Sequence, residues 1–399
     1  MKPWKPRPKR GSDAWFFVLL FLGAVIIGGT VWVQRRLGAG PFVGVQLTPT
    51  PAITLTPTRS VEENLAQADA AFNDGNFRAA ITLYDQLSRR RPNDVDLQVK
   101  SARLTAFLGQ YPKAEQRARR ILQQNGQTKN SDARVILCLA LEYQQKLDAA
   151  LTECQTAVAA NPKNATAHAY LAEVYTDKGD CVSALGSAQQ AADLDPNNPE
   201  ALHKLGYYYE VCGQSYENAL SYYQRALDLA PNLLQILMDQ GRVYLVLASG
   251  NPAVYAQRAV DIFSHITQLD DQNAEAYSRL GVAYMHQGEY GASAKAHDVA
   301  VSLDPAKAWL WTNRGWMNFR RYFYTEAVVD YTRALTTSQI MSETLKPIDL
   351  LRFGYALTED KQCDEGLTLL AKAVEAAPAD GTFLNTQQAG QKNCTNLKP

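Results

Sequence analysis

A helical hairpin pattern that recurs along most of the chain is the feature that most constrains the fold. Residues 165–196 hold it most clearly, because two stretches of helical periodicity meet at Gly179-Asp180 and the second stretch ends at Pro196. Small residues fall where two antiparallel helices must approach each other closely, at Ala172, Ala184 and Ala191. One such hairpin cannot bury its apolar face alone, so the pattern requires neighbours of the same kind.

The neighbours are present on both sides of this hairpin. Further copies span residues 60–92, 94–126, 131–162, 199–231, 234–271, 274–305, 308–339 and 347–378. The sixth copy is expected to hold a longer turn around residues 249–252, the eighth lacks the turn glycine and the closing proline, and the ninth is weaker. These departures leave the helix boundaries of three copies open, but the count of hairpins is nine.

The spacing resembles the tetratricopeptide repeat (TPR), which has a period of about 34 residues. With Ala165 as position 1, the small residues fall at positions 8, 20 and 27 and the proline at position 32. Small residues at positions 8 and 20 let two backbones approach, an aromatic at position 24 fills the gap to the next hairpin, and the proline ends the second helix. The resemblance implies an all-α, right-handed superhelical solenoid of about nine TPR hairpins over residues 60–378.

The first 59 residues differ sharply from the repeats. Residues 1–13 carry five Lys/Arg and three prolines and are predicted to form a basic tail. Residues 14–34 begin with 20 residues that carry no charge, which at about 1.5 Å per residue cross a hydrocarbon core of about 30 Å. We therefore predict a transmembrane helix. A cleaved signal peptide stays open as an alternative, because small residues follow at positions 38–40; a buried core helix does not suit a solenoid.

Charge bias predicts the topology of this segment. Five Lys/Arg precede it and two follow it, which favours a cytoplasmic N-terminus and an extracytoplasmic repeat domain in a single-pass protein of the cell membrane. Residues 35–59 are rich in proline and threonine and are predicted to be an extended stalk, with or without O-glycosylation. The chain has no net charge, but residues 37–399 hold 33 Lys/Arg against 39 Asp/Glu, a net of −6, which gives no support to nucleic-acid binding.

The sequence holds no pattern typical of an enzyme. Its five histidines show no metal-binding i, i+4 pair with an acidic partner, and His286 and His297, which share one hairpin, are better explained as surface or satisfied core residues. No nucleophile elbow, phosphate-binding loop or dinucleotide fingerprint is present. We therefore expect a non-enzyme without a cofactor, a metal or a small-molecule substrate.

Six cysteines all follow the hydrophobic segment, and an even count in an extracytoplasmic domain favours disulfides. The count alone allows 15 connectivities. The repeat positions implied by the resemblance favour three pairs, which are Cys138–Cys154, Cys181–Cys212 and Cys363–Cys394. The first pair lies at positions 8 and 24 of one hairpin, and the other two share a separation of 31 residues from position 17 to position 14 of the next repeat. The last pair implies a capping helix over residues 382–393, within a C-terminal segment 379–399.

The resemblance also implies a binding surface, because in this family the first helix of each hairpin lines the concave face. That face is polar in the N-terminal half, with Asp69, Arg103, Glu142 and Glu173. In the C-terminal half it holds His203, Tyr207, Arg242, Met285, Trp309, Trp316, Phe319 and Tyr355. Aromatic, Met and Arg side chains are typical of a groove that binds a protein or peptide. The alternative, that Trp309 and Phe319 especially pack against an adjacent helix, stays open.

These observations predict a membrane-anchored scaffold or adaptor for protein–protein interactions, with the partner held in the concave groove. Two alternatives remain open from the sequence. One is an accessory of envelope assembly or secretion with a chaperone-like transport role, and the other is a non-catalytic subunit that positions an enzyme. Fold alone does not separate them.

Overall fold

A computed structural model of the chain describes residues 60–124, 126–341 and 345–395. The predicted basic tail, transmembrane helix and stalk lie outside the described residues, so these three stay predictions. None of the helices in the described ranges combines the length and the apolar character needed to cross a membrane.

The described residues form 19 α-helices and no β-strand. The first ten helices are α1 Val61–Asn73, α2 Phe77–Arg90, α3 Val95–Phe107, α4 Tyr111–Leu122, α5 Ser131–Glu142, α6 Leu147–Ala160, α7 Ala165–Asp177, α8 Cys181–Leu194, α9 Pro199–Val211 and α10 Tyr216–Leu229. The others are α11 Leu234–Gly250, α12 Pro252–Leu269, α13 Ala274–Gln287, α14 Tyr290–Leu303, α15 Ala308–Arg320, α16 Tyr324–Met341, α17 Pro347–Glu359, α18 Cys363–Ala376 and α19 Gly381–Thr395. The first 18 helices pair as nine hairpins in a superhelical solenoid and α19 follows them, which confirms the predicted all-α fold.

One predicted turn differs from the structure. The longer turn expected around residues 249–252 is absent, because α11 continues to Gly250 and α12 begins at Pro252. The extra residues of the sixth hairpin instead lengthen its helices to 17 and 18 residues. Proline is accepted at the first position of α12 because that position has no intrahelical partner for a backbone N–H.

Asparagine side chains both start several helices and tie consecutive hairpins together. The Oδ1 atoms of Asn164 and Asn198 accept hydrogen bonds from the N–H groups of Ala167 (3.2 Å) and Ala201 (3.0 Å), so each asparagine caps the helix that follows it. The Asn164 Nδ2 also donates to Ser131 Oγ at 2.9 Å, in the preceding hairpin. The Asn164 side chain thus fixes both the start of α7 and the alignment of the fourth hairpin on the third.

Glycines at position 8 accept the ring at position 24 of the same hairpin. A Cβ atom on Gly206 would lie 2.7 Å from the ring of Tyr223, and one on Gly281 would lie 2.7 Å from the ring of His297. Real Cβ atoms do not approach other atoms so closely, so these hairpins require glycine there. This packing is the reason for the small-residue spacing seen in the sequence.

The solenoid also closes on itself, a contact that the sequence did not indicate. The Arg78 Nε of α2 donates to Asp270 Oδ1, directly after α12, at 3.0 Å, and Asn232 Nδ2 donates to the backbone oxygen of Asn73 at 2.9 Å. Gly75, with φ +77°, lies against Asn232. The first hairpin therefore meets the end of the fifth and the sixth. We call hairpins one to six the closed turn.

The last two hairpins and α19 have apolar cores of their own. Tyr331 of α16 packs with Phe353 and Leu357 of α17, and Phe383 of α19 packs with Leu370 of α18. The structure thus places a helix where the sequence predicts a cap, and it extends from Gly381 to Thr395. Through Phe383, α19 covers apolar surface that the ninth hairpin would otherwise expose.

Candidate interaction site

Two of the residues predicted to line the groove are buried in the structure. His203 is 1% exposed and its Nε2 lies 2.7 Å from Asp239 Oδ2, and Met285 is 5% exposed. The first helices of consecutive hairpins pack closely along the inner face, which leaves these side chains little room to contact a partner. Burial and the nearby Lys204 charge lower the pKa of His203 to about 4, although Asp239 opposes the shift, so the imidazole is neutral at pH 7.

Two other predicted groove residues bind carboxylates on the inner face. The Tyr207 hydroxyl donates to Asp177 Oδ1 at 2.6 Å, which joins α9 to α7. The Arg242 guanidinium hydrogen-bonds to Glu210 and, at 3.0 Å, to Asp239. The bonds to Asp177 and Glu210 link the first helices of successive hairpins, so both side chains contribute to the inner wall of the closed turn.

A buried charge network lies beside these residues. Lys204 Nζ donates to Glu173 Oε1 at 2.7 Å, and no donor among the described residues reaches either side-chain oxygen of Glu142. Burial, and then the charge of Glu173, raise the pKa of Glu142 well above its ordinary value. This shift favours the protonated form of the Glu142 carboxyl. The repeat positions predicted both glutamates on an open polar face. They are buried by the curvature of the solenoid, which no local sequence pattern indicates.

A cavity of about 380 Å³ lies inside the solenoid, at the place where the closed turn meets the seventh and eighth hairpins. The side chains on its wall that matter most here are Tyr111, Tyr143, Met238, Asp239, Glu275 and Trp309. The rings of Tyr111 and Tyr143 stack with centroids 4.6 Å apart and planes 19° apart. We call this space the inner cavity. Trp309, which is 36% exposed, belongs both to its wall and to the predicted groove.

The remaining predicted groove residues lie on the eighth and ninth hairpins. The ring centroids of Phe319 and Tyr355 are 5.8 Å apart, and Tyr324 lies within 5.7 Å of Phe319. The Trp316 ring carries the Arg352 guanidinium at 4.7 Å from its centroid. We give the name C-terminal aromatic patch to six rings of these two hairpins, each half-buried or exposed, which are Trp316, Phe319, Tyr322, Phe323, Tyr324 and Tyr355.

Three residues of this patch, Tyr322, Phe323 and Tyr324, are not among the predicted groove residues. Tyr322 and Phe323 are 77% and 42% exposed in the turn between α15 and α16, and Tyr322 has φ +63°. The run of aromatics at residues 322–324 in a turn without glycine was the available signal. The Phe319 ring packs on the core of the eighth hairpin, as the alternative interpretation expects, and its role in a binding groove stays a prediction.

The structure joins the cysteines in the three predicted pairs. The Cα atoms are 5.4 Å apart for Cys138–Cys154, 5.6 Å for Cys181–Cys212 and 5.7 Å for Cys363–Cys394. The first bond crosses one hairpin, the second joins α8 to the end of α9, and the third ties α19 to α18. Within the described part of the chain, no three His, Cys, Asp or Glu side chains are grouped so as to hold a metal ion.

Family models and a solved structure are similar to the repeat region of this chain. Models of the tetratricopeptide repeat match residues 65–134, 137–199 and 187–220. These matches support the TPR family. The solved structure titled "Crystal structure of APC/C hetero-tetramer Cut9-Hcn1" has a TM-score of 0.58 over 74% of this chain and 55% of that one, at 16% identity, a likeness that concerns the fold alone.

Two curated relatives share part of the TPR region. Human "Protein O-mannosyl-transferase TMTC1" is 25% identical over 168 residues, which are 40% of this chain and 18% of that protein. "Tetratricopeptide repeat protein 37" of Xenopus laevis is 25% identical over 209 residues, which are 49% of this chain and 12% of that protein. This chain thus spans less than one fifth of either relative. TPR solenoids typically bind protein partners and are typically non-catalytic, although the name of the human relative is that of an enzyme.

Proposed function

We propose that this TPR protein is a membrane-anchored scaffold that binds a protein or peptide partner on the concave face of its last two hairpins. The observation that carries the proposal is the C-terminal aromatic patch. It combines partly exposed aromatic rings with arginine, the side chains that contribute most to binding energy at protein interfaces.

The closed turn is less suited to a large partner. His203 is buried, and Tyr207 and Arg242 already bind carboxylates of the preceding hairpins. Breaking those contacts would leave charges unpaired on the inner wall, which opposes binding there. The patch on the eighth and ninth hairpins carries no comparable cost.

The proposed placement rests on the sequence and the cysteine pairs. Residues 14–33 carry no charge, and five Lys/Arg before them against two after them support a cytoplasmic N-terminus. Three pairs of cysteines at bonding distance support an oxidising, extracytoplasmic compartment for the repeats. Added protease should then digest the repeats on intact cells. Repeats that resist digestion until the cells are permeabilised would reverse this topology, and a soluble mature chain that begins near residue 40 would indicate a cleaved signal peptide.

Partner binding is tested by co-purification with the full chain in detergent. Trp316→Ala should weaken binding by more than about 1 kcal/mol with little change in thermal stability. The matched control is Trp311→Ala on the same helix, because Trp311 packs toward Leu310 and Val301 of the core and lies outside the patch. Equal effects of the two substitutions would refute the patch as the binding surface. Recovery of many weakly bound, unrelated chains in place of one stoichiometric partner would favour the chaperone-like alternative.

A further inference from the structure

We propose that the inner cavity receives a basic side chain, of arginine or lysine, from the partner peptide that binds the C-terminal aromatic patch. The inference rests on the proposed function and adds the chemical class of the residue that the partner must present. Four observations carry it: the flat aromatic wall, the excess of carboxylates, an unpaired amide, and the distance from the patch.

The wall of the cavity offers faces on which a cation can lie. Tyr111 and Tyr143 form a stack with centroids 4.6 Å apart, and Trp309 adds an indole ring to the same wall. Aromatic faces attract guanidinium and ammonium groups, and the attraction grows when the site excludes water. At about 380 Å³ the cavity is large enough for one extended side chain with its water and too small for a folded domain.

Carboxylates outnumber cations in and behind this wall. Asp270 is paired with Arg78 at 3.0 Å, and on the wall Lys307 offsets Asp304 in charge. His203 is neutral, and Glu142 is left out of the count. The other carboxylates are Glu173, Asp177, Glu210, Asp239 and Glu275, against the cations Lys204, Arg242 and Arg279. Enclosure, and then the charge of Glu275, raise the pKa of Tyr111, which is consistent with a negative field at its ring.

One polar group on the wall also lacks a partner. The Gln235 Nε2 atom is buried, and no acceptor among the described residues lies within hydrogen-bond distance of it. A buried donor of this kind costs free energy unless something accepts its proton. The carbonyl oxygen of a peptide that delivers the basic side chain would serve as that acceptor.

The cavity and the patch are a short distance apart along one helix. Trp309 on the cavity wall and Trp316 in the patch are both on α15 and seven residues apart. They therefore lie on the same side of the helix, separated by about 10 Å at about 1.5 Å per residue. An extended peptide crosses that distance in about three residues. The partner should thus carry a basic residue about three positions from an apolar or aromatic one.

The test uses small probes on the purified full chain in detergent. N-acetyl-arginine methylamide is compared with N-acetyl-citrulline methylamide, which has nearly the same shape without the charge, and binding is measured by calorimetry or ligand-observed NMR. We expect the arginine probe to bind at least about tenfold more tightly, and Glu275→Gln to reduce that preference at least about threefold. The matched control is Glu289→Gln, the same change at an exposed site on the same hairpin, which should leave the preference unchanged.

Equal binding of the two probes, or equal effects of Glu275→Gln and Glu289→Gln in variants with unchanged thermal unfolding, would overturn the inference. The outcome is separable from that of the proposed function. A partner that depends on Trp316 while the protein does not distinguish the probes refutes the cavity alone. Preferential binding of the arginine probe without any recovered partner supports the cavity and refutes the scaffold.

Discussion

Arg78 and Asp270 are 192 residues apart in the sequence, yet the Arg78 Nε lies 3.0 Å from the Asp270 Oδ1. Asp270 is only 7% exposed, whereas Arg78 is about half exposed. The pair joins the second helix of the first hairpin to the end of the sixth hairpin. The stack of six hairpins thus forms a closed turn, with a direct contact between repeats that are distant in the sequence.

Removing the Arg78 side chain charge should loosen this closure. We expect Arg78→Gln to lower the free energy of unfolding by about 1 kcal/mol, because the nearly buried Asp270 loses its ion partner. Hydrogen exchange should rise in α2 and near the end of α12, with little change in α17 and α18. Chemical denaturation and exchange mass spectrometry measure the two effects.

A double-mutant cycle provides the control for this prediction. Arg78→Gln combined with Asp270→Asn should cost less than the sum of the single changes, since the pair is already broken by either one. Arg91→Gln, which breaks an exposed pair with Glu62 inside the first hairpin, should cost less than about 0.5 kcal/mol. Additive costs at Arg78 and Asp270 would show that the pair does not hold the turn closed.

Glu142 should make the protein less stable as the pH rises. Its pKa is raised in the folded state, so the folded protein retains a proton that the unfolded chain has lost. The stabilisation is complete below the unfolded pKa of about 4.5 and is lost as the pH rises through the folded value. Glu142→Gln imitates the protonated acid, so the variant should gain stability relative to the natural chain between pH 5 and 8, by up to about 1.4 kcal/mol per pH unit.

Urea denaturation over this pH range measures that gain. Glu289→Gln removes an exposed carboxylate and should show no comparable trend with pH. A constant difference between Glu142→Gln and the natural chain from pH 5 to 8 would mean that Glu142 is ionised when folded.

His297 occupies a position that other hairpins fill with a phenyl or phenol ring. Both of its ring nitrogens are buried without a hydrogen-bond partner among the described residues, and burial lowers its pKa to about 3. In the unfolded chain the His297 imidazole is protonated below about pH 6.5, whereas in the folded chain it stays neutral until the pH is much lower. The free energy of unfolding therefore decreases as the pH falls below 6.5. His297→Phe should raise the free energy of unfolding by about 1 kcal/mol at pH 7 and by more at pH 5.

The reverse exchange one repeat earlier is the matched test. Phe263 packs against Gly241 as His297 packs against Gly281, with would-be Cβ contacts of 2.7 Å in both hairpins. Phe263→His should therefore lower the thermal midpoint, and more so at pH 5 than at pH 7. A His297→Phe variant that is less stable at both pH values would contradict this prediction.

The sequence predicted the nine hairpins and the helix over residues 382–393 because each hairpin packs mainly on its neighbours, so local spacing carries most of the fold. The Arg78–Asp270 contact has no such signal, since it depends on curvature summed over six hairpins. The same curvature buries Glu142 and Glu173, which local position alone placed on an open face. Tyr322 is absent from the predicted groove because that prediction used only positions on the first helix of each hairpin, and Tyr322 lies in a turn.

The cysteine pairs make the most direct prediction about the natural protein. Peptide mapping without reduction should recover three disulfide-linked peptide pairs, which contain Cys138–Cys154, Cys181–Cys212 and Cys363–Cys394 as in the structure. Free thiols at all six positions would contradict the pairing and would remove its support for an extracytoplasmic repeat domain.

Replacing Cys363 and Cys394 together by serine should free the cap. The bond closes a loop of 31 residues, so its loss should cost roughly 3 to 4 kcal/mol on the chain-entropy model. Because α19 packs on α18 through Phe383 and Leu370, hydrogen exchange should rise first in α18 and α19. The bond between Cys181 and Cys212 closes a loop of equal length, and replacing this pair by serine should instead raise exchange around α8 and α9. Identical exchange patterns for the two variants would mean that neither bond acts locally, and that the cap is held by its apolar contacts alone.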